Sequence, residues 1–168
     1  MFKYIFWNYD KIGLIDIRSE AYMKYPEPTV GAIIFNPDNK ILLCKSHKWN
    51  NKYVIPGGHI ELGEKMEEAL QREILEETGL EIYDIELISV KESIFSDTFH
   101  EGKHFIFIDY KCKTNSWEVI LNDEAEEYDW VDLNEIDNYE LGGFTEQLLK
   151  ELRNSQNSKN KIEVFYGY

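Results

Sequence analysis

The sequence predicts a single mixed α/β domain, and three observations carry that prediction. Several runs of β-branched and aromatic residues are bounded by turn signals. One strongly helix-forming segment interrupts them after the third run, and further helical stretches follow the last. The chain has 168 residues, of which 43% are hydrophobic and 14% aromatic, enough for one real core.

Residues 1–28 are aromatic-rich and end at "YPEP", whose prolines punctuate an extended approach to the domain. They read as one or two short strands or as a homodimer contact. "TVGAIIF" (29–35) reads as a buried strand, "NPDNK" as a turn and "ILLCKSH" as its hairpin partner. "KYVI" (52–55) is a short strand stopped by Pro56, and Gly57–Gly58 read as a tight turn. "KMEEALQREILEETG" is a helix closed by Gly79. "EIYDIELISVKESIF" (81–95) and "KHFIFIDYKCK" (103–113) are long β-type runs, with "SDTFHEGK" as the hairpin end between them. "YDWVDL" (128–133) is a further strand, and helices are expected around "LNEIDN" and across "GFTEQLLKELR" (143–153). The segment 154–168 begins as a polar linker and ends β-like.

The charge is uneven. The net charge is −14, and two segments account for all of it. Residues 57–80 carry seven Glu against Lys65 and Arg72, and residues 123–140 carry nine acids and no base. Such segments repel a polyphosphate backbone unless a cation intervenes, so direct nucleic-acid binding is not expected. Cys44 and Cys112 sit in apolar runs without a CxxC pair, which points to a reducing, cytoplasmic setting. No run approaches the ~18–20 apolar residues of a membrane helix, and the N-terminus lacks the continuous apolar stretch of a signal peptide.

The acidic helix invites a geometric test. At roughly 100° per residue, with Met66 set to zero, Ala69, Leu70 and Ile74 fall at about 300°, 40° and 80° and define the apolar face. Glu73 and Glu77 fall at about 340° and 20°, on that same stripe, and Glu76 at about 280°, at its edge. Glu67 and Glu68 point elsewhere and read as a solvated face. Carboxylates on an inward stripe are costly unless paired or ligated, and Arg72 alone cannot neutralise three. Oxygen donors of this type suit Mg²⁺ or Mn²⁺. The loop before the helix, "PGGHIELGE", adds two glycines where backbone must approach a ligand closely.

This segment resembles the Nudix box, the signature of the Nudix hydrolases. Gly58, Glu64, Arg72, Glu73, Ile74, Glu76, Glu77, Gly79 and Leu80 fill all nine fixed positions of a 23-residue pattern. The "VIPGG" before the box and the "EAEEYDWV" well after it are similar to the family's flanks too. The resemblance implies an α/β/α sandwich around a mixed sheet over residues 29 to about 153. It also implies hydrolysis of a nucleoside diphosphate linked to another group, by water attacking phosphorus. Mg²⁺, with Mn²⁺ as a substitute, would be held by Glu73, Glu76, Glu77 and the Gly58 carbonyl. Arg72 would orient the glutamates and Glu64 would brace the loop against the helix. The general base is left between Glu73, Glu77, Glu124 and Glu127. Trp49 is a candidate to stack on a base, and His100 a candidate to touch substrate from a lid. His59, His100 and His104 are not expected to ligate metal, because the array is oxygen-based.

The family's substrate markers are mostly missing. Phe95 and Ser96 stand where ADP-ribose hydrolases carry a proline, and the tyrosine of dinucleoside polyphosphate hydrolases is absent from 96–98. Nucleoside triphosphates and nucleotide sugars stay open as substrates. Two readings of other kinds are a Mg²⁺–nucleotide sensor of the same fold and an acidic calcium or protein-docking surface. The intact box disfavours the first, and the inward Glu73 and Glu77 disfavour the second.

Overall fold

The computed structural model describes residues 25–97 and 99–155, so most of the N-terminal extension and of the C-terminal segment lie outside the described residues. Within them the chain order is β1 (Glu27–Phe35), β2 (Ile41–Ser46), β3 (Lys52–Val54), β4 (Gly57–His59), α1 (Met66–Thr78), β5 (Tyr83–Ile94), β6 (His104–Lys113), β7 (Ala125–Val131) and α2 (Gly143–Ser155). Single 3₁₀ turns cover His47–Trp49 and Ile136–Asn138.

The strands form a mixed seven-stranded sheet with the path β3-β2-β1-β6-β5, to which β4 adds on β1 and β7 on β2. β1 and β6 run parallel from Glu27↔Phe105 to Phe35↔Lys113. β5 and β6 form the antiparallel hairpin expected from their length. The β1–β2 turn is built by Asn36, whose Oδ1 accepts the N–H groups of Asp38 (3.0 Å) and Lys40 (2.9 Å). That hairpin is splayed. β1 meets β2 only at Phe35↔Ile41, because β4 takes the edge of β1 from Thr29 to Gly31.

Gly57 and Gly58 are therefore strand residues rather than the expected tight turn. A Cβ on Gly57 would stand 2.1 Å from the Val30 carbonyl oxygen, so only bare backbone fits against β1. Two other expectations need correction. "LNEIDN" makes one 3₁₀ turn, not a longer helix, since the Asp132 carboxylate accepts the Asn134 N–H at 2.8 Å and holds the chain in a local turn. β7 starts at Ala125 rather than Tyr128, because its pairing with β2 extends to Ser46↔Ala125.

Alternation along the strands divides the core into two layers. Val30, Ala32, Ile34, Leu42 and Cys44 face α1 through Ala69, Leu70 and Ile74. Ile33, Ile41 and Leu43 face α2 through Leu148 and Leu149. Each such fully buried aliphatic side chain contributes roughly 1.5–3 kcal/mol of transfer free energy, and that fixes α1 and its glutamates against the end of the sheet. Gly79 ends α1 at φ 69°, its N–H bonded to the Leu75 carbonyl at 2.9 Å.

Candidate active site

The site is built where α1 passes under the β4 backbone. Ala69, Leu70 and Ile74 are buried, Glu73 is 16% exposed, and Glu67 and Glu68 are exposed, the phase that the helical geometry predicts. Glu77 reaches under β4, where its Oε2 accepts the Gly57 N–H at 2.9 Å. Burial pushes the Glu77 carboxyl up to about 8; the nearby Glu124 and Glu73 carboxylates push the same way, while the Gly57 N–H and Lys48 oppose them. Gly58 lies so close to the helix that a Cβ there would be 2.3 Å from Glu73 Oε2.

Arg72 organises the acidic side of this junction. Its Nε and Nη2 bind the two oxygens of Glu64, each at 2.8 Å, in a bidentate pair. Nη1 donates to Glu73 Oε1 at 2.8 Å and, more weakly, to Glu76 Oε2 at 3.4 Å. Nη2 also donates to the His59 carbonyl at 3.0 Å, tying the helix to the end of β4. The Arg72 guanidinium holds the Glu64 carboxyl down at about 2, helped by the Glu61 N–H. Glu76 is 58% exposed and sits at the rim of this junction, reached by that 3.4 Å contact.

From Gly57, Gly58, Glu73, Glu77 and Glu124 a cavity of about 240 Å³ runs across the α2 face of the sheet to Lys91 and Asp109. Its wall is aromatic. Trp49 meets Phe99 at 4.7 Å between centroids, Phe99 meets Phe105 edge-on at 5.0 Å, Phe105 stacks on Phe107 at 5.4 Å, and Phe107 meets Phe144 of α2 at 5.0 Å. Lys48 stands at the acidic end, paired to Glu124.

The structure thus brings Gly58, Glu64, Arg72, Glu73, Glu77, Glu124 and Trp49 into one locality. It leaves Glu76 at the rim and two candidates out. Glu127 is 50% exposed and pairs with Lys45 at 2.6 Å, on no wall of the cavity. His100 turns to Glu101 and to the Lys48 carbonyl, and it is the neighbouring Phe99 that lines the cavity.

A model of the NUDIX domain matches residues 25–152. The chain belongs to the Nudix family. It is 30% identical over 132 residues to the nucleoside triphosphatase NudI of Escherichia coli (strain K12), spanning 73% of this chain and 94% of that protein. The crystal structure of a MutT NUDIX hydrolase from Burkholderia pseudomallei matches at 26% identity with TM-score 0.64, covering 77% of this chain and 99% of that one. The fold also matches the MutT protein of Methanosarcina mazei Go1 at 24% identity and TM-score 0.67, covering 81% and 99%. The mixed sheet and its two flanking helices are those of a Nudix α/β sandwich, and the family places this chain among pyrophosphatase hydrolases.

Nudix proteins generally use divalent cations such as Mg²⁺. The donors here are of the matching hard-oxygen type. Among the described residues no three His, Cys, Asp or Glu side chains already converge as a metal cage. Glu73 is turned to Arg72 and Glu77 to the Gly57 N–H. A buried carboxyl held up at about 8 beside two further carboxylates is chemistry that a divalent cation would relieve. No helix among the described residues is long and apolar enough to cross a membrane.

Sequence reasoning missed Lys48, Phe99, Phe105, Phe107, Phe144, Lys91 and Asp109. One signal was readable: "FIFID" alternates so that Phe105, Phe107 and Asp109 share a face, an acid continuing two aromatics.

Proposed function

We propose that this Nudix domain is a divalent-cation-dependent pyrophosphohydrolase of nucleoside triphosphates, releasing a nucleoside monophosphate and pyrophosphate. The observation that carries the reading is the junction of Glu73, Glu77 and Glu124 with the bare backbone of Gly57–Gly58, opening directly onto an aromatic cavity. The kinship with a nucleoside triphosphatase supports the substrate class. The cavity volume of about 240 Å³ lies below the roughly 300–1,000 Å³ of larger ligand pockets and suits one nucleoside rather than two.

In this reading Glu73, Glu77 and the Gly58 carbonyl hold Mg²⁺, with Glu76 reaching in from the rim and Mn²⁺ serving as substitute. The cation supplies charge neutralisation of the phosphates and activation of the attacking water. Arg72 and Glu64 keep the glutamate array oriented. Glu124 or Glu77 takes the proton of the attacking water; Glu127, turned away with Lys45, does not. Lys48, held by Glu124, faces the phosphates, and Trp49 and the phenylalanines cover the base.

The test is a hydrolysis screen with Mg²⁺ and with Mn²⁺ over nucleoside triphosphates, nucleotide sugars, ADP-ribose and dinucleoside polyphosphates, with products resolved by chromatography. Expected is conversion of triphosphates to monophosphate and pyrophosphate, abolished by EDTA. Turnover only of another class would replace the substrate. Silence across the whole panel, with Mg²⁺ binding measured separately, would move the domain to a nucleotide sensor.

A further inference from the structure

At the end of the cavity remote from the glutamates sits a charged pair that the hydrolytic chemistry does not use. Asp109 is 6% exposed and lies on the same face of β6 as Phe105 and Phe107. Lys91, on the neighbouring strand β5, is opposite Phe107 and diagonal to Asp109, and both charged side chains line the cavity. Across β1, Gly31 is opposite Asp109, and a Cβ there would come within 3.2 Å of Asp109 Oδ1 and 3.1 Å of Ile55 Cδ1. The glycine therefore leaves room in front of the carboxylate that any other residue would fill.

A carboxyl buried against an aromatic wall, near a lysine that is paired to Glu151 instead, is expensive to maintain and contributes little stability by itself. Neither side chain has its bonding capacity used up. Lys91 Nζ donates to Glu151 Oε2 of α2 at 2.8 Å, leaving two of the three ammonium donors. Asp109 accepts from the Ser89 hydroxyl, which leaves most of the lone pairs of a carboxylate. Burial pushes the Asp109 carboxyl up to about 7, with Lys91 the main opposing influence, so an N–H donor from a ligand would relieve it further.

We propose that Asp109 and Lys91 are specificity-determining residues that read the lactam edge of the nucleobase. Asp109 accepts the ring N–H and Lys91 donates to the adjacent carbonyl oxygen. Uracil, thymine, guanine and hypoxanthine present that N–H and C=O side by side. Cytosine and adenine present the inverse order, an unprotonated ring nitrogen beside an amino group, and would set an acceptor against Asp109 and a donor against Lys91. The aromatic wall holds any base and the charged end chooses among them. This inference rests on the cavity being the nucleoside site of the proposed triphosphatase.

Two matched substrate pairs isolate the edge: UTP against CTP, and ITP against ATP. Expected for the unaltered protein is a kcat/KM ratio of about ten-fold or more in favour of the lactam member of each pair, because a buried unpaired polar group is strongly penalised. Asp109→Asn, isosteric and able to donate as well as accept, should bring both ratios to within about two-fold or invert them. Lys91→Met should lower UTP turnover more than CTP turnover. Equal use of both members by the unaltered protein, or ratios unchanged in both variants, would overturn the proposal while leaving the triphosphatase standing. If no triphosphate is cleaved, NMR titration with UMP and CMP in EDTA still decides it. UMP preference lost in Asp109→Asn upholds the base reader, and equal or absent binding of the two overturns it.

Discussion

Replacing Glu77 with Gln should stabilise the metal-free protein at alkaline pH while destroying its activity. The unfolded chain titrates Glu77 near its ordinary 4.5, whereas burial holds the folded carboxyl up to about 8. A carboxyl raised in this way contributes stability that is fully present below pH 4.5 and is lost as pH rises toward 8. Integrated to pH 8, that difference amounts to roughly 4 kcal/mol, an upper bound because water entry and local relaxation soften it. Gln keeps an oxygen to accept the Gly57 N–H, so the bond to β4 survives the substitution while the ionisation is removed. Urea unfolding in EDTA from pH 5 to 8.5 should show the unaltered protein losing stability across this window. Glu77→Gln should overtake it by about 2–4 kcal/mol at pH 8 and match it near pH 5. Adding Mg²⁺ should stabilise the unaltered protein and do little for the variant. In turnover assays the variant should lose at least about a hundred-fold. Parallel stability curves at every pH, or a variant of normal rate, would refute the placement of this carboxylate as a buried group held ready for a cation.

Five further substitutions, at four positions, probe the same junction and its surroundings by different routes. Gly58→Ala forces Glu73 away from a Cβ that would otherwise sit 2.3 Å from its Oε2, so kcat should fall by about a hundred-fold while thermal unfolding shows a folded protein. Arg72→Gln should weaken activity or Mg²⁺ affinity by roughly ten- to hundred-fold, and Arg72→Lys should fail to restore it, since a point charge cannot reproduce the bidentate grip on Glu64; recovery by Lys would show that charge alone suffices. Glu124→Gln should cost about ten-fold or more in kcat, whereas the exposed Glu127→Gln should change it less than about two-fold, and the reverse ranking would put the basic carboxylate on the wrong residue.

The legible parts of this protein are those in which neighbours in sequence are neighbours in space. The helix from Met66 to Thr78 could be phased from its own periodicity, because tertiary packing buries the stripe that Ala69, Leu70 and Ile74 define. Its end at Gly79 followed from the left-handed φ of 69° that suits glycine. Gly57–Gly58 misled for a complementary reason. A glycine pair usually marks a turn, and the reason for these two lies 26 and 28 residues upstream, in the Gly31 and Val30 backbone against which they pair. The "LNEIDN" stretch also misled, since the Asp132 side chain outcompetes helical hydrogen bonding there.

The cleavage end and the base end of the site differ in how they are encoded, and that difference explains why the family is plain from the sequence and the substrate is not. The cleavage end is one loop and one helix, so its geometry is a spacing rule that any chain of the family must keep in register. The proposed base end draws on Trp49 after β2, Lys91 on β5, Phe99 in the β5–β6 turn, Phe105, Phe107 and Asp109 on β6, and Phe144 on α2, all of which line the cavity. No spacing rule ties these together, because each strand and loop can vary its inward residues without disturbing the helix that holds the glutamates. Base preference can therefore change by substitution at Lys91 or Asp109 while the hydrolytic junction stays as it is. A Lys91→Met or Asp109→Asn protein should accordingly keep the Mg²⁺-dependent stabilisation of its parent while its turnover of UTP falls relative to that of CTP. Loss of that stabilisation in either variant would show that the two ends are energetically coupled.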